Sequence, residues 1–167
     1  MPNREVLLYP DARLKLNCAK IDPCSCKARE IAQDLLDTMD CAPPRTVGIA
    51  ASQIGEMVRI IIVDTSRNPK YAGSHGLLIL VNPRITEAEG NQVFREGCLS
   101  IPDYTANISR HNHITVSGFT LEGKEVMVTT SGFESVVLQH EIDHLDGILF
   151  LDRVAQVKTD LFRRKSH

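Results

Sequence analysis

Two histidines and a glutamate near the end of the chain have the spacing of a metal-dependent hydrolase. His140, Glu141 and His144 form the pattern H-E-x-x-H. On an α-helix, residues four apart lie on one face about one turn apart, so both imidazoles can reach one metal ion. Glu141 is turned about 100° around the helix from His140, beside the water that such a metal activates. The pattern therefore predicts two ligands and a general base. The alternative is an amphipathic helix whose surface residues match the pattern by chance.

A third ligand is available in the segment Arg95–Pro102, which contains Cys98. Thiolate is a strong ligand for a divalent metal, and a Cys-His-His set leaves the fourth tetrahedral position for water. An open position is typical of a catalytic rather than a structural site. Taken in isolation, Cys98 is better explained as a small buried hydrophobic residue.

The other four cysteines, Cys18, Cys24, Cys26 and Cys41, do not follow a disulfide pattern. The total is odd, which argues against a disulfide scaffold. A second metal site is an alternative, but C-x-C lacks the usual spacer of two to four residues. We expect these four to be reduced structural or surface thiols.

Length and composition predict one folded domain spanning residues 1–167. Of the 167 residues, 43% are hydrophobic and 24% are charged, as in an ordinary globular protein. The net charge of −2 gives no general attraction to nucleic acid or to an anionic membrane. Apolar runs such as Ile60–Val63 are far shorter than the ~18 residues of a membrane span, and no signal-peptide pattern begins the chain. We expect a cytoplasmic protein with no membrane partner and no specific nucleic-acid partner.

Hydrophobic periodicity predicts an α+β fold, with mostly antiparallel strands packed around a central, metal-binding H-E-x-x-H helix. An amphipathic helix precedes these strands, with its apolar residues at helical spacing from about Lys27 to Cys41. The predicted strands are Val58–Asp64, Leu77–Asn82 and a hairpin of 113–119 with 125–129. The predicted later helices are 134–145, ended by Gly147, and 152–164 with a basic end.

Three stretches together resemble the peptide deformylase family. They are G-φ-A-A-x-Q at Gly48–Gln53, E-G-C-L-S at Glu96–Ser100, and Q-H-E-x-D-H-L at Gln139–Leu145. They occur in the family's order and at similar separations, and the similarity covers nearly the whole chain. The resemblance therefore implies the family's activity, which is hydrolysis of the formyl group from the N-terminal formylmethionine of new polypeptides, with release of formate.

The resemblance also implies a role for each matching position. Cys98, His140 and His144 match the metal ligands, and Glu141 matches the catalytic acid and base. Gln53 and the Leu99 N–H match the donors that hold the formyl oxygen as it gains charge. The implied substrate-binding residues are Val47, Gly48, Gly97, Phe133, Val136 and Val137. The implied cofactor is one divalent ion, usually Fe²⁺, with Zn²⁺, Ni²⁺ or Co²⁺ able to use the same ligands.

Three positions depart from the common family pattern. Thr46 stands where a glycine is usual, so the backbone there must avoid positive φ. Thr105 stands where many members carry an arginine that helps to hold the peptide. Arg110 does match a family arginine, whereas Phe133 is bulkier than the usual aliphatic residue. We hypothesise a shifted or weakened preference beyond the first substrate residue, with the hydrolytic residues intact.

Other functions stay open on the sequence alone. A zincin-type metallopeptidase shares H-E-x-x-H, but its usual third ligand lies downstream, where few candidates remain. A non-catalytic binder of formylated N-termini is a further alternative, although such a protein has no need of Glu141. The basic residues Arg163, Arg164 and Lys165 leave contact with the ribosome surface open, although a short terminal charge cluster is usually just solvated.

Overall fold

A computed structural model describes residues 4–70 and 74–164 and shows an α+β fold. Within these residues it has three α-helices, which are α1 (Cys26–Cys41), α2 (Gly132–Leu145) and α3 (Val157–Asp160). Its strands are β1 (Gly48–Ala50), β2 (Ile60–Val63), β3 (Leu78–Glu89), β4 (Gln92–Cys98), β5 (Ile101–Arg110), β6 (His113–Phe119), β7 (Glu125–Ser131) and β8 (Leu161–Arg163). None of the helices in this described part is long and apolar enough to cross a membrane.

The first helix has clear start and stop signals in the sequence. The Ser25 side chain accepts a hydrogen bond from the Ala28 N–H, which satisfies one of the free donors of the first turn. The helix ends at Cys41, and Pro43 and Pro44 follow, neither of which could continue it. Its buried residues recur at helical spacing and face the sheet.

Five strands form an antiparallel sheet in the order β1-β2-β3-β6-β7. All four residues of β2 are buried because both faces of the sheet are covered. Ile60 and Ile62 pack into the core that contains α1, whereas Ile61 and Val63 pack into the core that contains α2. The predicted hairpin is confirmed as β6 paired with β7. The sheet therefore supports α2 from one side.

A second antiparallel sheet has the order β4-β5-β8. Its apolar face packs on a third core, which includes Leu14, Ile108 and Phe150. The β4–β5 register shifts between Glu96 and Cys98, and a short turn connects the strands. Such a bulge bends a strand and re-aims its side chains, here at Cys98.

The predicted helix from Asp152 to Arg164 is wrong. A 3-10 turn covers Phe150–Arg153, α3 has only four residues, and β8 then pairs with β5. Helical periodicity could not reveal this, because the free edge of β5 supplies backbone hydrogen-bond partners from far away in the sequence. Lys165 lies outside the described residues.

The predicted end of a strand before Pro83 is also wrong. Strand β3 continues to Glu89, with irregular register between Val81 and Arg84 where it pairs with β6. A proline is tolerated at such a point because no ladder hydrogen bond requires its missing N–H. The strand therefore passes through the proline instead of stopping at it.

Candidate active site

Cys98, His140 and His144 lie close together in the structure. Their candidate ligand atoms all lie within 4.8 Å of one another, and the Cys98 Sγ is 3.3 Å from the His144 Nε2. They form the one such group of three among residues 4–70 and 74–164, so the described cysteines near the N-terminus do not form a second site. We call these three residues the ligand cluster.

Helix α2 and the β4–β5 turn bring the cluster together. His140 and His144 project from the same face of α2, with ring centroids 5.1 Å apart. Cys98 is the last residue of β4, just after the bulge. The Tyr9 N–H donates to the Ser100 carbonyl at 2.8 Å, which holds the turn against the N-terminal segment.

A buried chain of ionic hydrogen bonds fixes the orientation of His140. Its Nδ1 lies 2.8 Å from Glu96 Oε1, which leaves Nε2 for the cluster. Arg110 donates to both oxygens of Glu96, at 2.5 and 2.9 Å, and to Asp143 at 2.8 Å. Arg153 binds the same Asp143 through two further hydrogen bonds. Burial alone would raise the pKa of Glu96, but the hydrogen bonds from His140 and Arg110 outweigh it and lower that pKa.

The pKa values of the two histidines are shifted in opposite directions. Burial acts to lower the pKa of His140, but the hydrogen bonds with Cys98 and Glu96 outweigh it and raise that pKa well above the ordinary value. Burial and the charge of His140 lower the pKa of His144 well below it. Both the shift at His144 and the binding of a cation favour neutral imidazoles, since a ligand nitrogen must be free of its proton.

Glu141 is buried beside the cluster. Burial raises its pKa to about 7, with opposing effects from the charges around it. A Cβ on Gly48 would lie 2.7 Å from Glu141 Oε2, so only glycine at this position leaves room for the carboxylate. Because Gly48 has no side chain, strand β1 can pack directly against the Glu141 carboxylate and help to hold it in place.

One unpaired polar atom fits a metal ion at the cluster. Glu141 Oε1 is among three buried side-chain atoms of the described residues that have no hydrogen-bond partner. Buried polar atoms normally have partners, so a carboxylate oxygen of this kind beside a thiol and two imidazoles suits a site that binds a cation and its water. The donor set is one that divalent transition metals accept.

Gln53 lies directly against the cluster. It belongs to the 3-10 turn Ala51–Ile54 that follows β1, and its Oε1 accepts a hydrogen bond from the Ala50 N–H at 3.0 Å. Its Nε2 donates to the Ser100 Oγ at 3.1 Å and contacts the Cys98 Sγ at 3.5 Å. The Leu99 N–H has no acceptor among the described residues. The Gln53 amide and the Leu99 N–H are thus two donors beside the ligand cluster.

The cluster lies in an open cleft of about 940 Å³. The cleft is lined by all the residues predicted from the sequence except His144, that is by Val47, Gly48, Gln53, Gly97, Cys98, Leu99, Phe133, Val136, Val137, His140 and Glu141. The rings of Phe133 and Phe94 lie 5.9 Å apart at one part of the wall. The apolar part of the lining comes mainly from α2 and the segment before β1, with Phe94 of β4 and Leu99 of the β4–β5 turn.

The cleft also contains arginines for which the sequence predicted no place in the site. The lining includes Arg45, Arg95, Arg163 and Arg164. Glu96 and Asp143 were inside recognised stretches, but nothing in their spacing indicated that Arg110 and Arg153 bind them. Positive φ occurs at Arg45 rather than at Thr46, and Thr105 pairs with Phe162 of β8.

A thiol, two imidazoles and a neighbouring carboxylate in a peptide-sized cleft suit metal-dependent hydrolysis of an amide bond. Comparison with known proteins narrows this class to one family. The family model for polypeptide deformylase matches residues 3–160, and the chain belongs to that family. The members of the family are hydrolases that use a metal ion to remove N-formyl groups from nascent peptides.

Relatives and solved structures agree with this assignment. A peptide deformylase of Thermomicrobium roseum is 43% identical over 160 residues, covering 95% of this chain and 90% of that protein. One from Syntrophobacter fumaroxidans is 37% identical over 161 residues, covering 96% and 92%. The Met-Ala-Ser-bound crystal structure of a class I type b peptide deformylase from Acinetobacter baumannii has a TM-score of 0.83 at 33% identity, covering 91% of this chain and 98% of that one.

Proposed function

We propose that this cleft removes the formyl group from the N-terminal formylmethionine of newly made polypeptides and releases formate. The observation that carries the proposal is the ligand cluster beside the buried carboxylate of Glu141 in a chain of this family. A relative with a similar fold binds Met-Ala-Ser, a peptide that begins with methionine. A zincin-type peptidase is not favoured, because the third donor is Cys98, upstream of the helix.

Cys98, His140 and His144 would hold one divalent metal ion, and the family resemblance favours Fe²⁺ over Zn²⁺, Ni²⁺ or Co²⁺. When bound, the ion supplies a Lewis acid that makes water nucleophilic at neutral pH and polarises the formyl oxygen. Glu96 would keep His140 in the tautomer whose Nε2 faces the cluster, through the 2.8 Å contact at Nδ1.

Glu141 would act first as general base and then as general acid. It would accept a proton from the attacking water as the new C–O bond forms at the formyl carbon. It would then give that proton to the departing amine as the C–N bond breaks, leaving formate and a free N-terminus. A pKa of about 7 is near the best value for both transfers at neutral pH, and a bound cation would lower it.

Gln53 and the Leu99 N–H would stabilise the oxyanion that forms at the formyl oxygen. The Gln53 amide is held by the Ala50 N–H on its oxygen, so its Nε2 is directed toward Cys98 and Ser100. Loss of one preorganised donor of this kind typically costs about 2.7–4 kcal/mol in the transition state.

The apolar part of the cleft would hold the methionine side chain. Val47, Phe133, Val136 and Val137 offer an apolar wall that suits an unbranched thioether. Gly48 and Gly97 would allow the substrate backbone to approach β1 and β4 closely. Phe133 would make this pocket smaller than one lined by an aliphatic residue.

Formate release from a formyl-Met-Ala peptide amide tests the proposal. Protein purified without oxygen and loaded with Fe²⁺ should release formate, and the metal-free protein should not. Cleavage of casein-type substrates without formate release would favour the peptidase, and binding of the formylated peptide without turnover would favour the non-catalytic alternative.

We further infer that residues 1–167 form one metallohydrolase domain that acts in the cytoplasm on nascent peptides. Contact with the ribosome surface stays a prediction. Arg163 and Arg164 line the cleft instead of forming a separate basic surface, and Lys165 lies outside the described residues.

A further inference from the structure

We propose that Arg164 gives the cleft a preference for a carboxylate on the second or third residue of the formylated peptide. The inference rests on the proposed function and concerns the substrate beyond its N-terminal methionine. It assigns specificity to the short C-terminal strand, which the sequence alone predicted to be helical.

Pairing of β8 with β5 holds the backbone at Arg164. Phe162 lies opposite Thr105, and Arg163 lies opposite Tyr104. One step further, the Arg164 N–H donates to the Asp103 carbonyl at 2.7 Å. These backbone contacts fix the main chain of Arg164 beside β5. Its side chain is exposed.

The guanidinium of Arg164 lies against the backbone of Gly97. A Cβ on Gly97 would be 2.5 Å from Arg164 Nη2 and 3.5 Å from Thr105 Cγ2. Any larger residue at position 97 would push the guanidinium away. Gly97 immediately precedes Cys98, so the cation lies one residue along β4 from the ligand cluster.

Within the described part of the chain, the guanidinium of Arg164 is available to bind a ligand. Among residues 4–70 and 74–164, nothing forms a hydrogen bond or ion pair with its guanidinium. Arg95, by contrast, stacks over the Phe162 ring at 3.6 Å and donates from Nε to Asn107 at 3.0 Å. A free guanidinium offers parallel N–H groups that match both oxygens of a carboxylate.

The surrounding charges favour an anion. We call Arg45, Arg95, Arg163 and Arg164 the basic rim, since all four are exposed and line the cleft. The lining carboxylates are Glu96, which binds Arg110 and His140, buried Glu141, and exposed Asp103. The exposed part of the lining therefore has four cations and one anion, which attracts negative substrate groups.

The chain length of a peptide determines which residue reaches Arg164. Neighbouring Cα atoms are about 3.8 Å apart, and an extended peptide advances about 3.3–3.6 Å per residue. With the formyl group at the ligand cluster and methionine against the apolar wall, the next one or two residues pass Gly97. A side-chain carboxylate there, or the terminal carboxylate of a short peptide, would meet the guanidinium.

Paired substrates test the assignment with the metal-loaded protein. Formyl-Met-Ala-Glu-amide should have a kcat/KM roughly threefold to fivefold above that of formyl-Met-Ala-Gln-amide, the size typical of an exposed ion pair. The difference should lie in KM, because the contact is remote from the reacting atoms. Formyl-Met-Ala-Ser with a free or an amidated end distinguishes a terminal carboxylate from a side chain as the preferred group.

The variants should change this ratio mainly through KM, because Arg164 binds the substrate away from the reacting atoms. Arg164→Gln should lower the Glu/Gln ratio toward one, and Arg164→Lys should restore part of it. Lys158→Gln removes an exposed charge of α3 that does not line the cleft, and should leave the ratio unchanged. Thr105→Arg added to Arg164→Gln should recover the preference, because both side chains adjoin Gly97. A ratio that stays the same in Arg164→Gln overturns the assignment.

A binding measurement separates this inference from the proposed function. The dissociation constants of Met-Ala-Glu-amide and Met-Ala-Gln-amide can be compared without any turnover. A preference for the first that depends on Arg164, together with no formate release, would support the inference and overturn the proposed function. Formate release together with equal binding of both peptides would support the proposed function and overturn this inference.

Discussion

The ligand cluster and the basic rim lie in the same cleft but hold their charged groups in opposite ways. At the cluster, charges are buried and bound to fixed partners, as Glu96 is to Arg110 and His140. At the rim, arginines are exposed, and the guanidinium of Arg164 has no partner among the described residues. Removing the partner of a buried ionic group strongly destabilises the folded protein, whereas removing the partner of an exposed one has little effect. The cluster is thus suited to determine the reaction, and the rim to adjust the choice of substrate.

The largest effect is expected at the buried carboxylate. Glu141→Gln should lower kcat for formate release about 10²–10⁴-fold, because the amide cannot accept or return the proton. The metal content should not change, since Glu141 is not one of the three proposed ligands. Steady-state kinetics and metal analysis on the same sample measure both quantities. Glu122→Gln, in the exposed turn before β7, is the matched control, and a loss below tenfold in Glu141→Gln would contradict the role.

Arg110 should matter most for stability. Arg110→Met leaves Glu96 and Asp143 buried without their shared cation and should cost about 3–5 kcal/mol in the free energy of unfolding. Arg153 binds the same Asp143, but its side chain is 42% exposed, so Arg153→Gln should cost about 1 kcal/mol or less. Urea denaturation of both variants checks this. Equal losses in the free energy of unfolding would contradict the expectation that the buried Arg110 stabilises the fold more than the exposed Arg153.

A smaller effect is expected from the carboxylate behind His140. Glu96→Gln keeps an acceptor near Nδ1 but removes its charge, and should weaken metal binding about 10–100-fold. Competition with a chelator of known affinity measures this directly. An unchanged metal affinity would show that the orientation of His140 depends on α2 alone.

The smallest effect is expected at the rim. Thr105→Arg adds the arginine that many family members carry, but Arg164 already lies at the same glycine. The Glu/Gln ratio in kcat/KM should therefore change by no more than about fivefold, and the free energy of unfolding by about 0.5 kcal/mol or less. A tenfold rise in the ratio would mean that Arg164 does not supply the charge.

The cluster could be predicted from the sequence because its main contacts are local or belong to contiguous motifs. The spacing of His140 and His144 determines their common face once a helix forms. Cys98 and Gln53 were found through the stretches around them, which resemble the family's. The structure brings these residues together, and it agrees with the predicted α+β class.

The rim could not be predicted because it depends on pairing between distant segments. The apolar residues of 152–164 were compatible with a helix, and only the open edge of β5 makes a strand at Leu161–Arg163 more favourable. The position of Arg164 beside Gly97 follows from that pairing. The ion pairs of Arg110 and Arg153 with Asp143 were missed for the same reason, since charge alone does not indicate a partner.

Strand β8 also protects an edge of the second sheet from pairing with other copies of the protein. It covers the edge of β5 from Tyr104 to Ala106, where backbone N–H and C=O groups would otherwise accept a strand from a neighbouring chain. With only three residues and a charged end, β8 is itself a poor template for further strand addition. A truncation that removed β8 would therefore expose a site for aggregation along with the loss of Arg164, so solubility and substrate choice depend on the same short segment.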